Sequence, residues 1–482
     1  MTEAAGNGLR LRLGFLTDDD KRAIYGGALE IMTTVGMRVR QAAALELLRG
    51  AGAEVVGDDI VRLPAELIAR ARGTAPAAVT VFDRDGEPAM ELGGSNSYFG
   101  TGSDLMSLYD LETGERRRSS LADVAAAARL CDALDNIDFV MSSAYAHEVD
   151  PHRAYVEEFR AMATNTIKPM VVTAEGVADL RVMWEIGCAL RGGAEEIAAK
   201  PYFIMYGQPS SPLEHPTDSM DKLLFCADAG IPAIYSPAPL AGATAPITVA
   251  GHIVQGAAES LFGLVIHQLR KPGAPFVFGI GPAVLDMATA QSSYNAPEYL
   301  MTYLGAIEMA RWLDLPNWGY GGTSDAQLVD AQAGLEAAEL TLLAMMAGSN
   351  LNHDVGYLDF GMTGAFELIV ITDEFVSMNR RLLAGITVDR ETLGLDVIAQ
   401  TGPGGDFLST KHTARHMRGT QWRPTILNRK AFERWAEDGG ADLREQARRK
   451  AARLLAEHAP PALPADLAAR VDALADGFRP AG

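Results

Sequence analysis

Cysteine and the common cofactor-binding motifs are scarce in this 482-residue chain. The three cysteines, Cys131, Cys188 and Cys226, lack CxxC spacing, so we expect neither a disulfide framework nor a zinc ribbon. The sequence has no P-loop and no G-x-G-x-x-G after its first predicted strand, which argues against nucleotide-binding folds. It also lacks HExxH and HxxEH. His412 and His416 share a helix face but have no visible third ligand, so we predict no metal site.

Basic residues and long apolar runs are also in short supply. The chain has 42 Lys and Arg against 62 Asp and Glu, a net charge of −20, which argues against nucleic acid or an anionic membrane as partner. The longest apolar segment, Ile253–Leu269, is interrupted by Gln255, Glu259 and His267, so no membrane span is predicted. The N-terminus has no signal-peptide pattern. We therefore expect a soluble cytoplasmic protein.

From about residue 97, short apolar runs alternate with amphipathic helical patterns. The runs predict eight strands: Ser97–Thr101, Phe139–Tyr145, Met170–Ala174, Tyr202–Gly207, Ala233–Pro237, Pro275–Ile280, Asn317–Gly321 and Asn350–Gly356. Eight strands in about 265 residues are typical of a (β/α)8 barrel. A doubly wound sheet is the alternative, since alternation alone does not prove closure. We predict an α/β fold: a TIM barrel over residues 97–384, an N-terminal α/β cap over residues 1–96, and a helical C-terminal extension over residues 385–482.

Aromatic residues recur at the carboxyl ends of the predicted strands, where a barrel carries its functional side chains. We assign seven of them and one acid to substrate binding: Phe99, Tyr206, Tyr235, Phe278, Trp318, Tyr320, Tyr357 and Asp104. Aromatic rings together with a few acids bind a quaternary ammonium through cation–π attraction. The alternative is that the rings simply fill the barrel and pad its rim.

The segment from Pro316 to Gly361 adds two polar candidates, His353 and Asp325, which we predict as catalytic residues. His353 precedes Asp354, and neighbouring residues of a strand point to opposite faces, so at most one of the two is expected to face the barrel interior. Asp325 follows a Gly-Gly-Thr-Ser loop. It is placed either to cap a helix from residue 326 or to contact a ligand.

The chain resembles the trimethylamine methyltransferase superfamily in several long segments, among them GGTSDAQLVDAQAGLEAA, SNLNHDVGYLDFG, SPAPLAGATAPITVAG and GPGGDFLSTKHTARHM. More narrowly, it is similar to the non-pyrrolysine branch of that superfamily, which includes glycine betaine methyltransferase. The resemblance covers nearly the whole chain. It implies a (β/α)8 barrel, a homo-oligomer, and a corrinoid-binding partner protein whose cobalamin sits over the barrel mouth.

The absence of pyrrolysine favours a substrate that already carries positive charge. A quaternary ammonium leaves as a neutral tertiary amine when its methyl carbon is attacked, whereas a neutral tertiary amine needs prior activation. The resemblance therefore implies methyl transfer from glycine betaine or a related betaine to Co(I) of the corrinoid. Direct transfer to tetrahydrofolate and a barrel that only binds betaine are the alternatives. A zinc-dependent methyltransferase is disfavoured, because the cysteines lack ligand spacing. The substrate carboxylate would be met by backbone N–H groups of Gly242–Thr244 or by His353.

Overall fold

Thr17 begins the first helix of the structure, a computed structural model that describes residues 13–480. Its hydroxyl accepts from the Asp20 backbone N–H, and the Asp20 carboxylate accepts from the Thr17 N–H, so the helix starts on a capping box. A π-helical turn, Ile31–Val35, ends this helix. The elements before residue 97 are α1 (Asp18–Glu30), β1 (Met37–Val39), α2 (Ala42–Gly50), β2 (Glu54–Val56), β3 (Ile60–Arg62), α3 (Ala65–Thr74), β4 (Val79–Phe82) and β5 (Pro88–Leu92).

Strands and helices alternate over the next part of the chain, as the sequence pattern predicts. The strands are β6 (Tyr98–Phe99), β7 (Ser107–Tyr109), β8 (Arg116–Arg118), β9 (Met170–Val172), β10 (Phe203–Gly207), β11 (Glu214–His215), β12 (Ala233–Tyr235), β13 (Leu240–Ala241), β14 (Phe276–Gly279), β15 (Ala283–Leu285), β16 (Ser292–Ser293), β17 (Asn317–Tyr320), β18 (Leu351–His353), β19 (Tyr357–Leu358) and β20 (Thr363–Gly364). The helices are α4 (Leu121–Asp132), α5 (Ala154–Asn165), α6 (Val177–Arg191), α7 (Ala194–Ala199), α8 (Thr217–Ala229), α9 (Val249–Arg270), α10 (Pro297–Trp312), α11 (Ala331–Ala347) and α12 (Phe366–Leu383). Short 3-10 turns span Pro151–Arg153 and Asp359–Gly361.

Seven of these strands form one curled, parallel sheet in the order β6-β18-β17-β14-β12-β10-β9. Helices cover its outer face, and both faces are buried, which is why the strands read as nearly continuous apolar runs. The inside of the curl is filled by a cluster that includes Phe139, Val171, Ile204, Val277 and Trp318. A larger cluster fills the layer between the sheet and the helices.

The second predicted strand, Phe139–Tyr145, is present only as two isolated bridges: Phe139 pairs with Gly100, and Val140 with Met170. Beyond that point the chain turns to the loop after β6. Ser143 has φ 59°, and its N–H donates to the Gly102 carbonyl at 2.8 Å. The prediction of eight regular strands closing a barrel was therefore wrong in this detail. The regular ladder is a curled seven-stranded parallel sheet flanked by helices.

Helix α9 is the one helix within residues 13–480 that is long and apolar enough to cross a membrane. Its most apolar window has a mean hydropathy of 1.4, but 78% of that window is buried inside the protein. It packs against α1, α2, α3, α8 and α10. A largely apolar helix is expected at such a core position.

The two ends of the chain pack onto this body. Strand β1 pairs in parallel with β11, which aligns Val39 with His215. The C-terminal helices are α13 (Arg390–Leu393), α14 (Leu395–Thr401), α15 (Lys411–Thr420), α16 (Phe432–Glu437), α17 (Leu443–Glu457) and α18 (Ala465–Gly477). Of these, α17 packs on α12 and α4, and α18 on α5 and α6. The domain boundaries at residues 96 and 384 remain predictions.

Candidate functional site

A cavity of about 330 Å3 opens at the carboxyl ends of the parallel strands. We call it the mouth cavity. Its lining combines tyrosines and carboxyl groups with small loop residues: Ser103, Asp104, Met141, Tyr206, Gln208, Ala238, Gly281, Pro282, Ala283, Tyr294, Tyr320, His353, Asp354, Tyr357 and Gly361. Among these lining residues there is no lysine or arginine. The cavity is therefore aromatic and acidic, without a cationic side chain.

His353 lies at the centre of the aromatic side of the cavity. Its ring stacks on Trp318, with centroids 4.1 Å apart, and lies 4.4 Å from the ring of Tyr320. Its Nδ1 is 2.7 Å from the Gly319 carbonyl oxygen. A carbonyl oxygen only accepts, so Nδ1 carries the hydrogen. Burial lowers the pKa of His353 to about 3, and the imidazole is therefore neutral with an unprotonated Nε2.

Asp354 faces the same cavity as His353, which corrects the expectation that only one of the two would do so. Alternation of faces ends with β18, and Asp354 lies one residue beyond it with φ 70°. Its Oδ1 is 3.4 Å from Nε2 of His353. Burial raises the pKa of Asp354 to about 8. A Cβ at Gly102 would collide with this carboxyl and with the Tyr357 hydroxyl, so glycine is required there.

A second buried carboxyl, Asp104, lines the cavity from the loop after β6. The Ser103 hydroxyl donates to its Oδ2 at 2.6 Å, while burial raises its pKa. Behind it, Glu158 on α5 accepts from the Ala146 N–H at 3.0 Å. Burial, together with the charge of Asp104, raises the pKa of Glu158 to about 8. With pKa values of about 8, Asp354 in the lining and Glu158 behind it are therefore largely protonated at neutral pH, and a bound cation would favour release of these protons.

Four tyrosines surround these groups: Tyr206, Tyr320, Tyr357 and Tyr294. The Tyr357 hydroxyl donates to the Ser103 carbonyl and links the β18 loop to the β6 loop. Tyr294 was missed because it lies in the long loop before α10 rather than at a strand end. The signal that would have found it is an aromatic residue in a polar run three residues before the helix-starting proline.

Asp325 does not line the mouth cavity; it holds the loop that carries Tyr294. Its Oδ2 accepts from the Ser293 hydroxyl at 2.5 Å, and its Oδ1 from the Tyr294 N–H at 2.9 Å. Burial raises its pKa despite these bonds. The helix-cap alternative does not hold either, because α11 begins later and Asp330 is its N-cap. Asp325 therefore contacts the cavity only through the loop that it holds.

Three of the predicted aromatic residues, Phe99, Tyr235 and Phe278, lie between the sheet and the helices rather than at the mouth. The reason is strand parity: Ile234 and Val277, one residue before Tyr235 and Phe278, point into the curl. Tyr235 instead hydrogen-bonds a buried histidine on β11 and packs on α9. These three residues are core residues by position.

The side chain of Trp318 points into the curl of the sheet, but it lies one layer below the mouth cavity. Its ring packs against Phe139 at 6.2 Å and Tyr206 at 5.6 Å, and only 1% of the residue is exposed. It therefore forms the floor on which His353 stacks rather than part of the cavity wall.

The loop expected to meet a substrate carboxylate does not offer free N–H groups. The N–H of Gly242 donates to Ala245, and those of Ala243 and Thr244 donate to Leu240, all at about 3.0 Å. The other candidate for that role, the neutral imidazole at the cavity centre, already uses its N–H on a backbone carbonyl. Neither predicted carboxylate partner is available in this arrangement.

The fold and the site together define an α/β protein with a strand-end cavity suited to an alkylated cation, since tyrosine faces and carboxyl groups both attract positive charge. The model of one family, trimethylamine methyltransferase (MTTB), matches residues 10–476. The chain belongs to this family of methyltransferases, which confirms the resemblance seen in the sequence.

The similar curated proteins span the whole fold. A trimethylamine methyltransferase of Desulfitobacterium hafniense (strain DSM 10664 / DCB-2) is 30% identical over 465 residues, 96% of this chain and 94% of that protein. A glycine betaine methyltransferase of D. hafniense (strain Y51) is 29% identical over 464 residues, 96% of each. The solved monomethylamine methyltransferase of Methanosarcina barkeri aligns with a TM-score of 0.52 at 13% identity, covering 91% of this chain and 97% of that one. It supports the fold alone.

Proposed function

We propose that this methyltransferase takes a methyl group from a quaternary amine, glycine betaine or a related betaine, and transfers it to Co(I) of a corrinoid carried by a partner protein. The observation that carries the proposal is the mouth cavity: four tyrosines and two carboxyl groups, with no lysine or arginine in the lining. Such a lining favours a permanent cation over a neutral amine. The family and the glycine betaine relative supply the methyl-transfer chemistry.

The residues of the cavity have distinct roles in this proposal. The rings of Tyr206, Tyr294, Tyr320 and Tyr357 hold the N-methyl groups and exclude water. Asp354 ionises against the cation and fixes the nitrogen near the sheet. His353 stays neutral and acts as a rigid wall, because its N–H is held by a backbone carbonyl. No proton has to move to the departing amine, since the amine leaves neutral.

Five exposed apolar side chains lie on loops that follow strands of the sheet: Met106, Ile247, Met287, Leu328 and Met362. Because the carboxyl ends of parallel strands meet at one edge of a sheet, these loops belong to the same end of the fold as the mouth cavity. Exposed apolar residues on one face are typical of protein contact sites. These residues would receive the corrinoid-bearing partner. The corrinoid, when bound, supplies the nucleophile that accepts the methyl group.

We further propose that residues 1–96 and 385–482 are accessory regions. We also propose a cytoplasmic homo-oligomer without nucleic-acid or membrane partners; the net charge of −20 and the burial of α9 support the last part of this proposal.

The test is anaerobic incubation of the protein with cob(I)alamin and a panel of quaternary amines. Quaternary amines should cause the cob(I)alamin absorbance to disappear, and trimethylamine should not. Parallel reactions with tetrahydrofolate and no cobalamin separate the folate acceptor. If calorimetry detects binding of an amine but neither acceptor is methylated, the protein is a binding protein rather than an enzyme. If no amine causes a loss of cob(I)alamin absorbance, the proposal is contradicted.

A further inference from the structure

A second cavity of about 340 Å3 adjoins the mouth cavity. The two share three lining residues, Asp104, Tyr206 and Gln208. The second cavity extends away from the sheet, towards the start of α8, and there it is lined by Lys222. We call it the Lys222 cavity. A ligand that passes the ring of Tyr206 therefore reaches both compartments.

Lys222 carries a buried ammonium group whose hydrogen-bonding capacity is not used up. The residue is 8% exposed, and its Nζ donates to the Ala174 carbonyl at 2.7 Å and to the Glu175 carbonyl at 3.5 Å. Lys168, the comparable buried lysine, donates to three carbonyls at 2.5 to 2.7 Å and so uses all three protons. Lys222 has one strong bond, one long bond and a remaining proton beside a cavity.

The charge of Lys222 is also not paired closely. Asp218 and Glu175 line the same cavity, but no carboxylate oxygen in residues 13–480 lies within 4.0 Å of its Nζ. Burial lowers the pKa of Lys222, and the charges of Asp218 and Asp179 oppose that effect. A buried ammonium without a contacting counter-ion is costly, so an anionic ligand group at this position would be stabilised.

The mouth cavity has the opposite character. A bound cation favours the ionised forms of the cavity's two carboxyl groups, Asp104 and Asp354, and these would repel a substrate carboxylate held one methylene from the cation. Among the residues that line the two cavities, Lys222 is the single lysine or arginine. The two charges of a zwitterion therefore have separate places: the cation among the tyrosines, the anion beyond Tyr206.

We propose that the Lys222 cavity binds the carboxylate of a betaine whose trimethylammonium group lies in the mouth cavity, so that the enzyme selects betaines with a chain of several carbons over glycine betaine. This inference rests on the proposed function, because it assumes that the mouth cavity holds the cation. It makes Lys222 a specificity-determining residue that contacts the substrate but takes no part in the methyl transfer.

The test is calorimetric binding to the full chain at neutral pH with a matched pair of ligands: 4-(trimethylammonio)butyrate and butyltrimethylammonium, which share the cation and differ in the carboxylate. The wild type should bind the carboxylate compound at least about tenfold more tightly, since a charge-assisted hydrogen bond is among the stronger contacts. Glycine betaine should bind more weakly than the butyrate. Lys222→Met should remove the preference, and Lys222→Arg should retain part of it.

The possible outcomes distinguish a failure of this inference from a failure of the proposed function. If the wild type binds the two ligands equally, or if Lys222→Met weakens both alike, the inference is overturned while a quaternary-amine site remains. If neither ligand nor glycine betaine binds the wild type, the proposed function fails and takes this inference with it. The wild-type comparison needs no variant, so a poorly folding Lys222→Met would not prevent a decision.

Discussion

Two buried histidines, His353 and His215, share several local properties but lie in different parts of the fold. Burial lowers the pKa of each to about 3, and each ring stacks on an aromatic ring. His215 uses Nδ1 on the Tyr235 hydroxyl and places Nε2 3.2 Å from the Met37 sulfur, inside a layer filled with side chains. His353 places Nε2 beside a carboxyl group at an open cavity.

The comparison separates the features that the two histidines share from the one that would make His353 part of a site. Burial, aromatic stacking and a depressed pKa are common to both and so indicate neither function nor its absence. What distinguishes His353 is its place at the carboxyl end of a central strand, with Asp354 turned towards the same space by a left-handed backbone conformation. Parallel substitutions in the two regions test whether residues at the cavity affect substrate binding and turnover while residues in the packed layer affect stability.

The largest expected effect comes from replacing the two histidines in parallel. His353→Ala should lower turnover of the preferred quaternary amine by at least about a hundredfold, because the aromatic wall of the cavity collapses into the space left. His215→Ala should instead lower the free energy of unfolding by about 3 kcal/mol, with turnover per folded molecule retained. Denaturation monitored by circular dichroism, together with rates normalised to folded protein, measures both. Equal loss of turnover in the two variants would refute the comparison.

Replacing a tyrosine of each region should give the next largest effect. Tyr320→Leu should weaken binding of tetramethylammonium by about tenfold, because one cation–π contact of roughly 1–2 kcal/mol is lost. Tyr320→Phe should retain most of the affinity. Tyr235→Phe should leave affinity unchanged and cost about 1 kcal/mol of stability, because it removes the hydroxyl bonded to His215. Calorimetry on the three variants is the measurement, and weaker binding by Tyr235→Phe would count against the assignment of positions.

Cation binding should depend on pH through the acidic side of the mouth cavity. Asp354 and Glu158 have pKa values raised to about 8, so both are largely protonated at pH 6 in the free protein. A bound cation favours their ionised forms and releases protons. Affinity for tetramethylammonium should therefore rise between pH 6 and pH 8, by up to about tenfold per unit for each proton released, and level off above.

The matched control for this pH dependence is Asp354→Asn, which should bind more weakly and with a smaller slope. Titrations in buffers of different ionisation enthalpy count the protons released. If the affinity of Asp354→Asn depends on pH as steeply as that of the wild type, the released proton comes from Glu158 or Asp104 instead. Neutral His353 should contribute nothing in this range, because its pKa of about 3 lies below it.

The smallest effect is expected where a residue acts through another. Asp325→Asn should raise KM about two- to fivefold with little change in kcat, because it loosens the loop that presents Tyr294 without touching the substrate. Asp286→Asn, an acid in an exposed turn of the same long loop, is the control and should change neither. A large fall in kcat for Asp325→Asn would instead support the sequence-based assignment of a catalytic role.

Much of the fold followed from the alternation of apolar runs and helical patterns, since each predicted run apart from one became a regular strand. The exception is Phe139–Tyr145. It forms no regular strand because its second half is hydrogen-bonded to the loop after β6 instead of to a neighbouring strand. Such a long-range preference leaves no mark on local periodicity. The packing of β1 beside β11 was equally invisible, because it joins residues far apart in the chain.

The site was predicted in part for a similar reason. Tyr206, Tyr320, Tyr357, His353 and Asp104 do converge, because strand ends bring them to one edge of the sheet. Other predicted aromatic residues face the helices, because the strand positions next to them are the ones that point into the curl. Short strands that are buried on both faces do not show this alternation in their sequence. The loop tyrosine before α10 was missed because only tertiary structure folds that loop over the mouth.

Crystals soaked with tetramethylarsonium, whose arsenic scatters X-rays anomalously, would locate a quaternary cation among the four tyrosines. We expect one strong anomalous peak in the mouth cavity, within about 6 Å of the ring centroids of Tyr206 and Tyr320 and beside the Asp354 carboxyl. A peak confined to another part of the molecule, or an empty mouth cavity at saturating concentration, would contradict this expectation.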